Sequence, residues 1–342
     1  MLKKFSFLFF ALALVIMAMS TAYLSEIEES ILKGIVQRVD EVAIGEEGFI
    51  EAMFIVDIKI TSKSLKGEVI QVEHRIAGSD SFPMYLKEKD RVLIGRYINF
   101  DGQAEYYVED YQREVSFYWL LALFILVILV VGKGQGLKAI LSLALTLGAI
   151  WWIHIPLMLK GFSPILTTVV VALIATTGTL LILGGWSRKS FAAIIGTISG
   201  VVIAAFIAYW VGSKAHLTGL SNEEAVMLKF IPQGDIFNPR ELLFSGILLG
   251  TLGAVMDVAM SIASSIAEIF KHSPEISRRK LFASGMTIGR DVMGTMTNTL
   301  ILAYLGSSLP LVLLFVANDM PMVRVMNFDI IVTELFISLS VI

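Results

Sequence analysis

The sequence predicts an α-helical polytopic membrane protein of about eight spans, the last of them incomplete. Inserted near its N-terminus is a small all-β extracytoplasmic domain, a five-stranded barrel of OB- or SH3-like type. Three observations predict this. Hydrophobic residues make up 56% of the 342 and charged residues only 17%, where a soluble globular chain carries about a quarter charged residues. Mean hydropathy is +0.77, and apolar runs approaching the ~20 residues that cross a roughly 30 Å hydrocarbon core recur from residue 115 onward. Between the first run and the second, residues 28–113 alternate in polarity instead of running apolar. With eight prolines and no cysteine, the chain is neither collagenous nor a disulfide scaffold, and thiolate metal sites and cysteine nucleophiles are excluded. A net charge of −3 leaves no basic footprint for nucleic acid.

Residues 1–27 form the first element. Phe5–Leu24 is apolar and follows Lys3 and Lys4, a pattern shared by signal anchors and cleaved signal peptides. The small residues Ser20–Ala22 fit a cleavage site only loosely, so an uncleaved anchor is expected. Residues 28–113 form the second. Ala52, Phe54, Val56, Ile58 and Ile60 alternate with Met53, Ile55, Asp57, Lys59 and Thr61, a strand with one strongly apolar face. Similar runs occur at Ile35–Val42, Glu68–Ile76, Val92–Phe100 and Glu105–Tyr111, with turn chemistry at Ser62–Gly67, Gly78–Pro83 and Asp101–Gly102. Five strands in some 80 residues suit a small Greek-key barrel. Such barrels bind oligosaccharide or single-stranded nucleic acid, but 19 Asp/Glu against 11 Lys/Arg over residues 26–114 argue against the latter. A folded cap or a module that docks a protein partner is the plainer reading.

Residues 114–342 form the third element, a helical bundle. Its expected spans are Val115–Val131, Leu137–Leu157, Pro164–Gly184, Phe191–Val211, Leu242–Ile269, a long stretch Leu281–Val316, and Ile330–Ile342. Lys133 and Lys138, then Arg188 and Lys189, then Lys271, Arg278, Arg279 and Lys280 fall in every second loop. The positive-inside rule then places the N-terminus in the cytoplasm and the β domain outside. Ile330–Ile342 has 13 residues, about 20 Å of helix, too short to span, so truncation within the last helix is expected. Leu281–Val316 is too long for one span, and Gly306-Ser-Ser-Leu-Pro310 offers a break. Either a broken transporter-like helix or an interfacial turn before a kinked span accounts for it.

Two spans carry polar seams. At 100° per residue, Gly246, Gly250, Gly253, Asp257, Ser261, Ser264 and Glu268 share one helix face. The glycines allow close backbone approach, and the two carboxylates stand about 16 Å apart along the axis. In the next stretch Gly285 and Gly289 form a second close-packing pair. Thr287, Asp291, Gly294 and Asn298 follow on one face with Arg290 adjacent. An antiparallel hairpin about residues 271–280 would bring Asp257 level with residues 291–298. An ionisable residue at mid-membrane costs a few kcal/mol, so Asp257, Arg290 and Asp291 read as an ion or substrate site, with Asn298 and Glu268 beside it. The competing reading is an internal ion pair that pins two helices. Neither a cofactor nor a metal is implied: His74, His154, His216 and His272 lack ligand spacing, and HExxH, GxxxxGK and GxSxG are absent.

Gly250-Thr-Leu-Gly-Ala-Val-Met-Asp-Val-Ala-Met-Ser-Ile-Ala-Ser-Ser265 resembles the YibE/F-like family of bacterial multispan membrane proteins. So does Gly289-Arg-Asp-Val-Met-Gly-Thr-Met-Thr-Asn-Thr-Leu-Ile-Leu-Ala-Tyr-Leu-Gly306, followed by Ser308-Leu-Pro310. The resemblance implies the order of anchor, outward β domain and bundle, a bacterial plasma-membrane location and a complete last helix. It implies no reaction.

Three functions then stand against one another. A permease or secondary transporter would use Asp257 to hold a cation or proton, Asp291 and Asn298 to complete the site, and Arg290 to tune its charge. A scaffold or sensory protein would bind an extracytoplasmic partner through its β domain. An intramembrane hydrolase would use Asp257 and Asp291 as an acid–base pair, but neither lies in a YD or GxGD context. The expected partners are the lipid bilayer with an ion or small solute, an extracytoplasmic protein, or a second copy of the chain.

Overall fold

The computed structural model describes residues 31–42, 50–62, 65–77, 83–99, 104–221, 223–231 and 234–333. The anchor expected at Phe5–Leu24, and all but the first four residues of Ile330–Ile342, lie outside the described residues. The chain divides into two compact units, one ending at Leu126 and the other beginning at Val127.

The first unit is built on one antiparallel sheet of five strands: β1 (Ile31–Val42), β2 (Ile50–Ile60), β3 (Val69–Ala77), β4 (Arg91–Ile98) and β5 (Ala104–Tyr111). They run in the order β3-β2-β1-β4-β5. The five alternating runs of the sequence are these strands, with ends displaced by a few residues. On β2, Val56, Ile58 and Ile60 are 0–1% exposed while Lys59 between them is open to solvent. Val36 of β1 and Ile70 of β3 stand in register with Ile58. Val72, Val92 and Ile94 complete the core. Burying each such side chain contributes about 1.5–3 kcal/mol, and this drives the strands together. A bulge between Val36 and Arg38 bends β1 at the centre of the sheet. Gly34 and Gly95 keep the strands clear at crowded points: a Cβ would strike Ile58 and Ile94 at the first, and the Tyr107 ring at the second. Lys33 Nζ donates to Glu114 Oε1 at 2.6 Å, joining β1 to the residue where the first helix starts.

The helices are α1 (Glu114–Ala149), a π turn (Ile150–His154), α2 (Ile155–Leu159), α3 (Pro164–Gly184), α4 (Arg188–Lys214), α5 (Glu223–Met227), α6 (Pro239–His272), α7 (Arg278–Ser307), α8 (Leu309–Ala317) and α9 (Met322–Val325). The starts are written in the sequence. Ser187 Oγ, Asn238 Oδ1 and Ser277 Oγ accept hydrogen bonds from the first backbone N–H groups of α4, α6 and α7. Prolines open α3 and α6, where a missing N–H costs nothing.

The runs Val115–Val131 and Leu137–Leu157 are not separated by an ordinary loop. The chain breaks at Lys133 (φ 48°, ψ −127°), inside what is otherwise continuous helix. Lys133 stands between Gly132 and Gly134. The break brings Gly136 against the Ile128 carbonyl, where any Cβ would collide with the oxygen. Among the described residues, Glu114–Leu159, Pro164–Gly184, Arg188–Lys214 and Pro239–His272 are long and apolar enough to cross a membrane. Arg278–Ser307 and Leu309–Ala317, bent by 63° at Ser308, make a fifth candidate. The bend falls within Gly306–Pro310, where Pro310 sits in the first turn of α8. α3, α4 and α6 pack through small side chains, among them Ala172, Ala175, Ala193, Ala208 and Thr251. Small residues let helices approach closely where lipid removes the hydrophobic drive to associate.

Candidate functional site

The polar seams of α6 and α7 are built on one hairpin. Gly285 and Gly289 of α7 receive Ile266 and Ile262 of α6, with Cδ1 atoms 3.1 and 3.2 Å from where a glycine Cβ would lie. This antiparallel register puts Asp257 level with Gly294, midway between Asp291 and Asn298. The helices do not bring these side chains together. Successive residues advance by 100°, so the Asp257 face lies some 140–180° around α6 from Ile262 and Ile266. The Thr287–Asp291–Gly294–Asn298 face is likewise turned away from the contact.

Asp257, Asp291 and Asn298 are all exposed, as are Gly246, Gly250, Gly253, Ser261 and Glu268. Among the described residues no hydrogen bond or ion pair joins the side chains of Asp257, Arg290, Asp291 and Asn298. Open space flanks Gly246, Gly253 and Gly294, and the nearest neighbour of Gly250 is the phenol oxygen of Tyr304 on α7, 3.8 Å from where a Cβ would lie. Glu268 accepts from His272 Nε2 at 2.9 Å and from Lys271 Nζ at 3.4 Å, closing the last turn of α6 on itself. Arg290 lines an apolar groove of about 730 Å³ between α6 and α7, with Arg278 at one end and Met286, Met293 and Met296 along its wall.

A second polar cluster is buried, and it joins three elements. His154, the last residue of the π turn, is 3% exposed, Ser245 of α6 is 2% and Thr168 of α3 is 0%. Thr168 Oγ1 donates to the Pro164 carbonyl at 2.7 Å. Its oxygen also lies 2.5 Å from Ser245 Oγ and 3.5 Å from His154 Nε2. Ser245 Oγ and His154 Nε2 share a hydrogen bond of 3.1 Å. One turn nearer the helix starts, Ser163 Oγ donates to Glu241 Oε2 at 2.5 Å, again between the α3 and α6 ends. Beside Thr168 lies a small apolar cavity of about 70 Å³ between α3, α4 and α6, with Thr168 and Thr176 among its lining residues. Among the described residues no group of three or more His, Cys, Asp or Glu side chains has the arrangement of a metal site.

The family model described as YibE/F-like protein matches residues 120–341. The chain belongs to the YibE/F-like family. No curated protein and no solved structure is significantly similar to it. The matched region takes in every helix from early α1 onward and leaves out the β sheet. The two stretches that carry the resemblance, residues 250–265 and 289–306, are the facing halves of α6 and α7. In this YibE/F-like chain Asp257 therefore sits on a family-matched hairpin, on the face that its own neighbours leave open. The His154 cluster carried no signal in the sequence. Its members lie 14 and 91 positions from His154, and each alone reads as an ordinary polar residue in an apolar helix.

Proposed function

We propose that this YibE/F-like protein is a permease or secondary transporter for an ion or small solute. The observation that carries the proposal is Asp257, a carboxylate 19 residues into the 34-residue apolar helix α6, facing outward from the described chain. Keeping an ionisable group there costs a few kcal/mol, and such groups mark ion and substrate paths. Three further features agree with it. The Gly/Ser stripe around Asp257 gives a solute backbone to approach, the 63° bend at Ser308 frees backbone groups as broken transporter helices do, and the neighbouring groove is of solute-binding size. Asp257 holds the cation or proton and Arg290 and Glu268 set the local charge; Asp291 and Asn298, level with Asp257 on α7 but turned away from it in the described chain, complete the site only when the hairpin rearranges or a second copy packs against it. In proteoliposomes Asp257→Asn abolishes flux while the protein stays folded; unchanged flux refutes the assignment.

In the same reading the break at Lys133 separates two spans, so that the described residues hold six. Basic loops on alternate sides put the N-terminus in the cytoplasm of a bacterial cell and the sheet outside its inner membrane. In that reading the sheet is a small barrel of OB- or SH3-like type. Its order leaves β3 and β5 as edges, and these two edges approach one another, as closure requires.

A second reading is favoured by one observation, the empty space beside Gly246, Gly253 and Gly294. Small residues with nothing against them make a face for another helix, and a scaffold that binds an extracytoplasmic protein or a second copy would use it. Deleting residues 31–110 then removes function while Asp257→Asn does not, the reverse of the permease.

A further inference from the structure

The buried cluster of His154, Ser245 and Thr168 can carry its protons in either direction. With the Thr168 proton on the Pro164 carbonyl and the Ser245 proton on Thr168, His154 supplies the proton between its Nε2 and Ser245. The neutral ring then carries its lone pair on Nδ1. That atom is buried without a hydrogen-bond partner among the described residues, although buried polar atoms are nearly always paired. The π turn that ends at His154 is itself a feature frequent at functional sites.

We propose that the protons run in this direction and that His154 Nδ1 is a proton-binding site inside the helical unit. A proton adds to the lone pair, the ring becomes an imidazolium, and its Nε2–H bond to Ser245 becomes charge-assisted. The surroundings leave room for little else. Neither the 730 Å³ groove nor the 70 Å³ cavity is lined by His154 or Ser245, so neither brings an acyl substrate to the serine. A single imidazole is also too few ligands for a metal.

The charged groups on the elements around the ring are few. α3 carries none, and Lys160 follows α2 six residues after His154. α6 brings Arg240, which donates to Ser213 Oγ at 2.8 Å, and Glu241, one turn before Ser245 and held by Ser163. Its next acid is Asp257, three turns further on. Glu241 is thus the carboxylate of α6 nearest in sequence to Ser245. The inference goes beyond the permease reading and stands without it, because it concerns binding and not flux.

The test is nitrogen NMR of the full chain in lipid nanodiscs, labelled with ¹⁵N at histidine and titrated from about pH 8 to pH 5, across the range where histidine changes charge. His154→Gln assigns the signals by difference. Should that variant not fold, replacing His74, His216 and His272 together leaves His154 as the sole histidine. The expected result is a ring protonated at Nε2 and bare at Nδ1 at high pH, passing reversibly to imidazolium with the fold intact. Ser245→Ala, which removes the charge-assisted acceptor, lowers the proton affinity about five- to tenfold. A ring protonated at Nδ1 at high pH, a ring that stays neutral until the protein unfolds, or an affinity unmoved by Ser245→Ala overturns the proposal.

Discussion

Thr168→Val keeps the shape of a fully buried side chain and removes one oxygen. That oxygen makes two close hydrogen bonds of unequal worth and a long one, 3.5 Å, to His154 Nε2. The bond to the Pro164 carbonyl lies within α3, and Pro164 also accepts from Thr167 Oγ1 at 3.0 Å, so its loss costs little. The 2.5 Å bond to Ser245 joins α3 to α6. Interhelical bonds of this kind average about 0.6 kcal/mol in bilayers and reach about 1.7. Orphaning a buried hydroxyl adds about 1 kcal/mol or more unless Ser245 turns to a carbonyl of its own helix. The variant is therefore expected to lose about 1–2 kcal/mol. A double-mutant cycle with Ser245→Ala, followed by unfolding in mixed micelles, should return a coupling of about 0.6–1.7 kcal/mol. Thr251→Val is the control: Thr251 is equally buried but bonds only to Ile247 of its own helix at 2.7 Å, so its coupling to Ser245 should fall within the ~0.3 kcal/mol expected of independent sites. A Thr168–Ser245 coupling no larger than the control refutes the hydrogen-bond chain on which the His154 inference depends.

Other consequences follow from the same contacts. Gly289→Val or Gly285→Val drives a side chain into Ile262 or Ile266 and should destabilise the α6–α7 hairpin by about 1–3 kcal/mol; Gly253→Ala, with open space around it, should not, and a micellar unfolding series compares them. Ile58→Ala empties the centre of the sheet, where the side chain is fully buried, and should cost about 2–5 kcal/mol by chemical denaturation. In the same unit the Tyr97 hydroxyl and Asn99 hold the Glu105 carboxyl below its ordinary range, and Arg113 does so for Asp110. A lowered folded-state value means a contribution present at neutral pH and lost as pH falls through the carboxylate range, below about 4. Glu105→Gln removes that contribution, so the variant should melt lower than the parent chain at neutral pH, converge with it in acid and show a flatter acid limb.

The strands were legible because a period of two with one apolar face allows no other arrangement, and Val56, Ile58 and Ile60 occupy the buried side that the alternation assigns them. The apolar helices were legible from length alone. What the pattern withheld is rotation and pairing. Helical periodicity puts Asp257 on a stripe, but α7 takes the opposite side of α6 because Gly285 and Gly289 offer Ile262 and Ile266 a flat surface there. The break at Lys133 resembles any basic interval between two runs. His154, Thr168 and Ser245 meet only through the packing of three helices, which leaves no spacing to read.

Ligand-dependent stability of the detergent-purified chain, measured beside Asp257→Asn, tests the central claim most directly. A ligand that binds only the folded state at a hundredfold excess over its Kd stabilises it by about 2.7 kcal/mol. Across a panel of monovalent and divalent cations, pH values and small metabolites, the permease reading predicts at least one such shift, lost in Asp257→Asn. A panel that shifts nothing, with Asp257→Asn much less stable at every pH, would contradict it and leave Asp257 as a residue that holds helices together.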